Sequence, residues 1–312
     1  MTDWAWGVDR IGWDEIPARV RAEIEARLGA RVVGVRVPAG GFSHGMAAVL
    51  ELDDGRRVFA KAIAGGDRLA GHYRTESATA GRLPKGVPTP RMLFALEAES
   101  WIVTVFEEVV GRHPQLNRPS ELAAVVRAVE QLAEMLTPNP LDGVPTIAES
   151  FGEDLTGWRH FARDGVPSDL DGWSRRNVRA LAELESTWVS TSVGNTLLHT
   201  DIRPDNMMLR ADGTVLVVDW AWPCVGAAWV DVVTLVPSML GAGVDPGPLL
   251  ATNPLTAHID SAVVDAFVCA LAGYWARNSR LPAPPRSPML RTHQAEKARV
   301  TIAWLAERLG WR

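Results

Sequence analysis

LLHTDIRPDNMML, residues 197–209, sets two carboxylates and an amide between two apolar runs, and VLVVDWAWP follows at 215–223. Asp201, Asn206 five residues later, and Asp219 at the end of a β-branched run form a compact set. Asn206 and Asp219 offer the hard oxygen ligands that Mg2+ uses when it holds substrate phosphates. Asp201 is then left to accept a proton from an attacking hydroxyl, or to orient it. Taken singly, Asp201 and Asp205 read equally well as turn formers beside Pro204, and Asp219 as a strand-end acid. What lifts the set above those readings lies upstream.

VFAKAI, 58–63, puts Lys61 in an apolar strand, where a charge is costly unless it is paired. A partner carboxylate is expected on the next helix, and Glu76 in YRTESATAGRL is the candidate; the plain alternatives are an edge lysine and a solvent-facing glutamate. GGFSHG, 40–45, precedes that strand and is ambiguous. As G-x-S-x-G it is a nucleophile elbow, with Ser43 attacking an acyl group. As a glycine-rich turn it is a flap whose backbone N–H groups cover phosphates, with Ser43 a minor donor. An elbow needs a helix directly after the serine. Here a short apolar segment and the turn DDG (53–55) follow, so a hairpin and a flap are expected.

The element pattern agrees. A helix is expected over 14–29, strands at 31–37, 46–52 and 56–63, a helix over 67–82, and two more strands before Gly111. Residues 1–111 thus read as a small antiparallel α+β lobe, and 112–312 as a larger, mostly helical lobe with a small strand insert. Helices are expected over 120–136, 173–190, about 228–240, 258–278 and 288–309. RLPAPPRSP, 280–288, reads as an exposed loop between the last two.

These motifs, in this order, resemble the protein-kinase-like fold, and within it the aminoglycoside phosphotransferase-like family of small-molecule kinases. HTDIRPDN is similar to that family's catalytic loop, H-G-D-x-x-x-x-N; VVDW (217–220) to its metal-binding strand end; GAAWVDVVTL (226–235) to the segment whose acid, Asp231, braces the loop; FEEVVG (106–111) to the hinge; and GGFSHG to the phosphate flap. The resemblance implies that Lys61 contacts the α- and β-phosphates and pairs with Glu76. It implies that the Glu107 carbonyl and the Val109 N–H meet a purine edge, and that Ser43 donates to phosphate. Asp201 becomes the acid/base residue, Asn206 and Asp219 the Mg2+ ligands, and His199 a structural histidine. Two departures stand out. Thr200 replaces the usual glycine, and Arg203 stands where a cation can meet the transferred phosphate.

The rest of the chain narrows the function class. A net charge of −5 argues against a dedicated nucleic-acid binder, and no apolar run is long enough for a membrane span. The N-terminal stretch does not read as a signal or transit peptide, and two cysteines without metal-site spacing lead to the expectation of a reducing, cytoplasmic setting. Only WAWPCVGA separates Asp219 from the next helix, which leaves no platform for a protein substrate. The expectation is therefore a Mg2+-dependent O-phosphotransferase using ATP or GTP on a hydroxyl of a small molecule, an antibiotic of aminoglycoside or nucleoside type or a related metabolite. The acceptor is expected near acids at 150–175 (Glu153, Asp154, Asp164, Asp169, Asp171) and tryptophans 158, 173, 220 and 222. The rival from another class is a catalytically silent nucleotide or ligand sensor, with a Ser43 hydrolase a distant third.

Overall fold

The computed structural model describes residues 8–38 and 40–311. In chain order the elements are α1 (Ala18–Leu28), β1 (Val32–Arg36), β2 (Met46–Leu52), β3 (Arg57–Ala64), α2 (Ala70–Ala80), β4 (Met92–Ala98) and β5 (Trp101–Glu107). Then come α3 (Pro119–Met135), α4 (Ile147–Phe151), α5 (Gly157–Asp164), α6 (Gly172–Ser186), α7 (Trp188–Thr191), β6 (Thr196–Leu198), β7 (Met207–Leu209), β8 (Val215–Val217) and β9 (Cys224–Gly226). The chain closes with α8 (Val230–Thr234), α9 (Val236–Gly241), α10 (Gly247–Thr252), α11 (Ser261–Asn278) and α12 (Leu290–Leu309).

Contacts group these elements into two units: residues 1–113, 205–222 and 283–289 form the first, and 114–204, 223–282 and 290–312 the second. Residues 205–222 and 283–289, which follow the expected boundary at Gly111, are thus grouped with the sheet-bearing unit. Local pairing explains this. Leu209 bridges Arg112, Val217 N donates to Pro88 O at 2.7 Å, and the β7–β8 hairpin follows the segment it pairs with.

The first unit is built on an antiparallel sheet in the order β1-β2-β3-β5-β4. β3 decides its chemistry. The two-residue alternation of a strand sends Val58, Ala60 and Ala62 to one face, where Val20, Ile24 and Leu28 of α1 close a core. Each such aliphatic contributes about 1.5–3 kcal/mol on full burial, which offsets the marginal stability of an 11-residue helix. The opposite face carries Lys61 and Ile63. There α2 packs through Ala70 and Tyr73 against Ile63 and Ile102. Lys61 therefore points toward α2 because its neighbours, not itself, belong to the core.

The second unit is helical. Trp158 of α5 is fully buried and its indole N–H donates to Cys269 O at 2.9 Å. The buried Glu185 carboxylate accepts from the N–H groups of Trp158 and Arg159, so a side chain of α6 satisfies the orphan donors at the start of α5. A Cβ on Gly157 would run into Gly273 O of α11, and one on Gly273 would run into the Glu185 and Trp158 side chains, so neither position tolerates a side chain. α4, α5, α10 and β9 escape sequence reading because each is short and glycine- or proline-flanked. The helix expected over 173–190 is broken into α6 and α7, and that over 228–240 into α8 and α9.

One loop expectation changes, and the strand expected after Ser43 is found. The stretch 280–288 is not simply exposed: Ser287 is buried and its hydroxyl donates to Phe42 O at 2.7 Å, inside the first unit. The element after Ser43 is β2, not a helix, and the Ser43 hydroxyl pairs with the Tyr73 hydroxyl at 2.7 Å rather than with an imidazole. His44 instead meets Asp67 at 2.7 Å. Neither the support nor the base of a nucleophile elbow is present at Ser43.

Candidate active site

In the first unit the site grows from β3, α2 and the end of β8. Lys61 Nζ lies 2.5 Å from Glu76 Oε2 and 2.9 Å from Asp219 Oδ1. Lys61 is bonded in register to Ala47 and Thr104 on the flanking strands, so the strand fixes its depth. Burial alone would lower the ammonium, but the Asp219 and Glu76 carboxylates overcome it and hold Lys61 well above the ordinary lysine range. Burial pushes Glu76 up to about 7; Lys61 opposes that rise and Asp219 adds to it. The lysine therefore stays charged, and Glu76 is the group of the cluster that titrates near neutrality.

Asp219 holds φ at 69°, a left-handed conformation uncommon outside glycine. Asn206 is buried, and its backbone carbonyl accepts from Val218 N at 2.9 Å, tying the amide residue to the strand end that carries Asp219. Among the described residues no group of three or more His, Cys, Asp or Glu side chains is arranged to hold a metal. Mg2+ does not call for such a group. Mg2+ is commonly held by one or two protein oxygens together with substrate phosphates and water. The donor set of Asn206 and Asp219 fits such an ion.

The glycine turn adds Ser43, whose hydroxyl is held by Tyr73 and accepts from Gly45 N at 3.4 Å. The Tyr73 ring lies 5.4 Å from Lys61 Nζ, so the flap residue and the lysine share one neighbour. Glu107 ends β5, with its N–H on Arg91 O at 3.0 Å and its carboxylate accepting from Arg91 N at 3.1 Å. Val109 follows outside any strand and is partly exposed.

The second unit supplies the loop that begins at β6. His199 is fully buried, and its N–H and that of Thr200 donate to the two Asp231 oxygens at 2.9 and 2.8 Å. The ring Nδ1 of His199 accepts from Asp201 N at 3.3 Å. Burial raises the Asp231 carboxyl, an effect opposed by His199 and by the two N–H donors. The acid expected to brace the loop is thus bonded to it, and His199 is bonded within the loop. Arg203 Nε lies 3.4 Å from Asp201 Oδ1. Asp201 also acts on the buried Tyr274, alongside Asp154. Burial, Lys297 and Arg203 hold His293 down at about 3, so this imidazole is neutral.

The acids expected to line an acceptor site separate cleanly. Asp164 is paired with Arg163 at 2.7 Å, Asp169 with Arg280 at 3.0 Å, and Asp171 caps α6 through Ser174 N at 2.9 Å. Asp154 is the one of them coupled to Tyr274 and so tied to the surroundings of Asp201. Trp158 is core, Trp173 stacks on Trp311, and Trp220 is buried with its N–H on Thr89 at 3.2 Å. Trp222 is 41% exposed and lies 4.1 Å from the His72 ring, which leaves it as the tryptophan of that group able to offer a face to a ligand.

The sequence profile described as the phosphotransferase enzyme family matches residues 34–257, more than half of the chain. The chain belongs to the phosphotransferase enzyme family. No curated protein sequence matches it. Among solved structures, choline kinase LicA from Streptococcus pneumoniae superposes with a TM-score of 0.64 at 11% identity, covering 93% of this chain and 98% of that one. A thermostable mutant of the aminoglycoside phosphotransferase APH(4)-Ia, in ternary complex with ADP and hygromycin B, gives 0.61 at 14% identity, covering 93% and 96%. The GDP and kanamycin complex of APH(2")-IIia gives 0.56 at 15% identity, covering 93% and 98%. At these identities the likeness establishes the fold, α+β and protein-kinase-like.

Two features of this phosphotransferase lead to predictions. Thr200, in place of glycine, sits at φ 62° with a β-branched side chain. Left-handed backbone costs an L-residue about 1–2 kcal/mol, while glycine loses roughly 0.5–1 kcal/mol in extra unfolded-state freedom. Thr200→Gly is therefore expected to raise stability by about 0–1.5 kcal/mol on those terms, read as a denaturation midpoint, with turnover retained. A clear loss of stability would mean that the Thr200 side chain outweighs its backbone strain.

The second concerns Glu76 in metal-free protein. Its folded-state value lies above that of an ordinary glutamate, so its stabilising contribution is fully present below about pH 4.5 and is lost as the pH rises through about 7. The melting temperature of Glu76→Gln relative to wild type should consequently become more favourable from pH 5 to pH 8. A difference that stays flat across that range rules out the raised value.

Proposed function

We propose that the protein is a Mg2+-dependent O-phosphotransferase that moves the γ-phosphate of ATP or GTP to a hydroxyl of a small molecule. The observation that carries this reading is the buried Lys61 ammonium gripping Glu76 and Asp219, with Asn206 bonded beside Asp219. A buried cation shared by two carboxylates is costly as a purely structural device, and replacing such a group by apolar residues is often neutral or stabilising. A site that must hold phosphates and a divalent ion has use for it.

In this reading Lys61 bonds the α- and β-phosphates, Glu76 keeps it in place, and the turn at Ser43 supplies N–H and hydroxyl donors above them. The Glu107 carbonyl and Val109 N–H take the purine edge. Mg2+, when bound by Asn206 and Asp219, neutralises phosphate charge and fixes phosphate geometry. Asp201 accepts the hydrogen bond of the acceptor hydroxyl and aligns its lone pair, taking the proton as the bond to the γ-phosphorus forms and the bond from that phosphorus to the β-phosphate oxygen breaks, releasing ADP or GDP. Arg203, paired with Asp201, balances the charge that develops on the transferred group. Asp231 and His199 hold the loop so that these side chains do not have to be ordered during the reaction.

The acceptor is a small molecule rather than a protein, because the chain between Asp219 and α8 is too short to dock a peptide. Antibiotics of aminoglycoside or nucleoside type, amino alcohols and sugars are the classes to try. Kanamycin and hygromycin B complexes and a choline kinase stand among the structural neighbours. A sensor would not need Asp201 and Asp219 together with the lysine. The test is incubation with Mg2+, ATP or GTP and a panel of these acceptors, followed by mass spectrometry for a phosphate adduct. Adduct formation on one class supports the reading. Tight nucleotide binding without any adduct or nucleotide consumption favours the sensor.

A further inference from the structure

Residues 8–12 form no helix or strand, yet the segment is pinned on both sides of Arg10. Ile11 N donates to His44 O of the glycine turn at 2.9 Å, and the Ile11 side chain packs against the core that α1 closes. Asp9 N donates to Arg286 O at 3.3 Å, and the two side chains lie 3.9 Å apart. Arg286 precedes Ser287, whose hydroxyl holds Phe42 O in the same glycine turn. The turn is thus gripped by two segments distant in sequence, and Arg10 lies between the grips.

The guanidinium of Arg10 donates through Nη1 to Pro38 O at 3.0 Å and through Nη2 to Gly40 O. A Cβ on Gly41 would come within 2.8 Å of Nη2, so the glycine leaves room for this side chain as well as for a φ of 75°. Arginine carries five N–H donors. Among the described residues the two turn carbonyls are its hydrogen-bond acceptors, which leaves three donors uncommitted on a half-buried cation. Burial lowers the group, and Tyr73 and the Asp219 carboxylate, both neighbours of Lys61, counter that. The charge balance there gives it a use. Lys61 is already shared between Glu76 and Asp219, which leaves that trio with a net negative charge when both carboxylates are ionised. A triphosphate needs a compensating cation besides Mg2+.

We propose that Arg10 is a ligand of the donor nucleotide's phosphates, carried in from the N-terminal segment and aimed by the Pro38 and Gly40 carbonyls. This rests on the donor-nucleotide reading given above. Its planar fork matches two phosphate oxygens, and the two carbonyl bonds fix the plane before the ligand arrives. The same bonds couple phosphate occupancy to the set of the glycine turn.

The test compares wild type, Arg10→Met and Arg10→Lys in the full-length protein. MgATP and MgGTP binding is measured by calorimetry, and binding of adenosine and guanosine by saturation-transfer NMR, which reads weak affinity. Arg10→Met should weaken the preferred triphosphate by about ten- to hundredfold, the range for a charged hydrogen-bonding group. It should leave the nucleoside within about twofold, since no donor on the purine is removed. Arg10→Lys should fall between, keeping charge but losing the fork. Retained nucleoside binding also certifies that the variant is folded. An unchanged triphosphate affinity in Arg10→Met overturns the proposal. So does an equal loss for triphosphate and nucleoside, which would make Arg10 a brace for the turn alone. In both cases wild-type triphosphate binding leaves the donor-nucleotide reading standing. Wild-type protein that binds neither triphosphate removes both.

Discussion

Asp201→Asn is expected to lower phosphoryl transfer by roughly a hundred- to ten-thousandfold, the range over which a positioned acid/base group contributes, while nucleotide affinity stays within about twofold. The two halves of that expectation come from where the residues lie. Asp201 stands on the loop of the helical unit, bonded through its N–H to His199 and braced beyond it by Asp231. The groups assigned to the donor, Lys61, Glu76, Asn206 and Asp219, all belong to the sheet-bearing unit. Asparagine preserves the shape and the backbone bonds of Asp201 but cannot take a proton, so it separates chemistry from folding. Steady-state turnover on whichever acceptor the panel identifies, with calorimetry of nucleotide binding, reads both halves. Arg203 provides the internal control, because Asp201 is its ion-pair partner. If Arg203→Gln costs as much as Asp201→Asn and the double variant costs no more, then Asp201 acts by holding Arg203 and is a positioning residue.

The parts of this site that were legible from sequence share a physical property. Lys61, Asp201, Asn206 and Asp219 are polar groups interrupting apolar runs, and such interruptions are expensive enough to demand a reason. The hairpin of β2 and β3 was legible because DDG at 53–55 permits the tight turn, with Gly55 at φ 85°. Arg10 was not legible. It lies in an aperiodic segment whose partners, Pro38, Gly40 and His44, are about thirty residues away, and no local pattern encodes such a meeting. Ser287 was hidden for the same reason: its proline-rich surroundings signal a loop correctly but say nothing about which backbone carbonyl the loop reaches. The acids at 150–175 show the opposite failure. Their density suggested a ligand-facing surface, yet Asp164, Asp169 and Asp171 are taken by an arginine, another arginine and a helix N-terminus. Charge in a sequence window carries no direction until the helices that bear it are packed.

The buried lysine offers the second large effect, and it appears in stability as well as in turnover. Lys61→Met should cut transfer by on the order of a hundred- to a thousandfold, as expected when a preorganised cation is withdrawn from phosphate. It should also destabilise the protein by about 3–5 kcal/mol at pH 8, because Glu76 and Asp219 then face one another without the ammonium that both contact. The pH dependence distinguishes this from ordinary cavity damage. In wild type the lysine opposes the rise that burial and Asp219 impose on Glu76. With the lysine gone, Glu76 binds its proton to higher pH in the folded state. Below about pH 7 both folded proteins carry a neutral Glu76, so the part of the penalty that comes from its charge is absent there. As the pH rises past about 7, wild-type Glu76 ionises beside the ammonium while the variant must keep the proton or bury an unpaired charge, so the deficit grows. Urea midpoints for wild type and Lys61→Met at pH 5 and pH 8, without added metal, measure the difference. A deficit of equal size at both values would reduce Lys61 to a packing residue. The double variant Lys61→Met/Glu76→Gln supplies the matching check: it should recover stability at pH 8, where the excess carboxylate is removed, and recover no transfer, since glutamine beside methionine returns no cation to the phosphates.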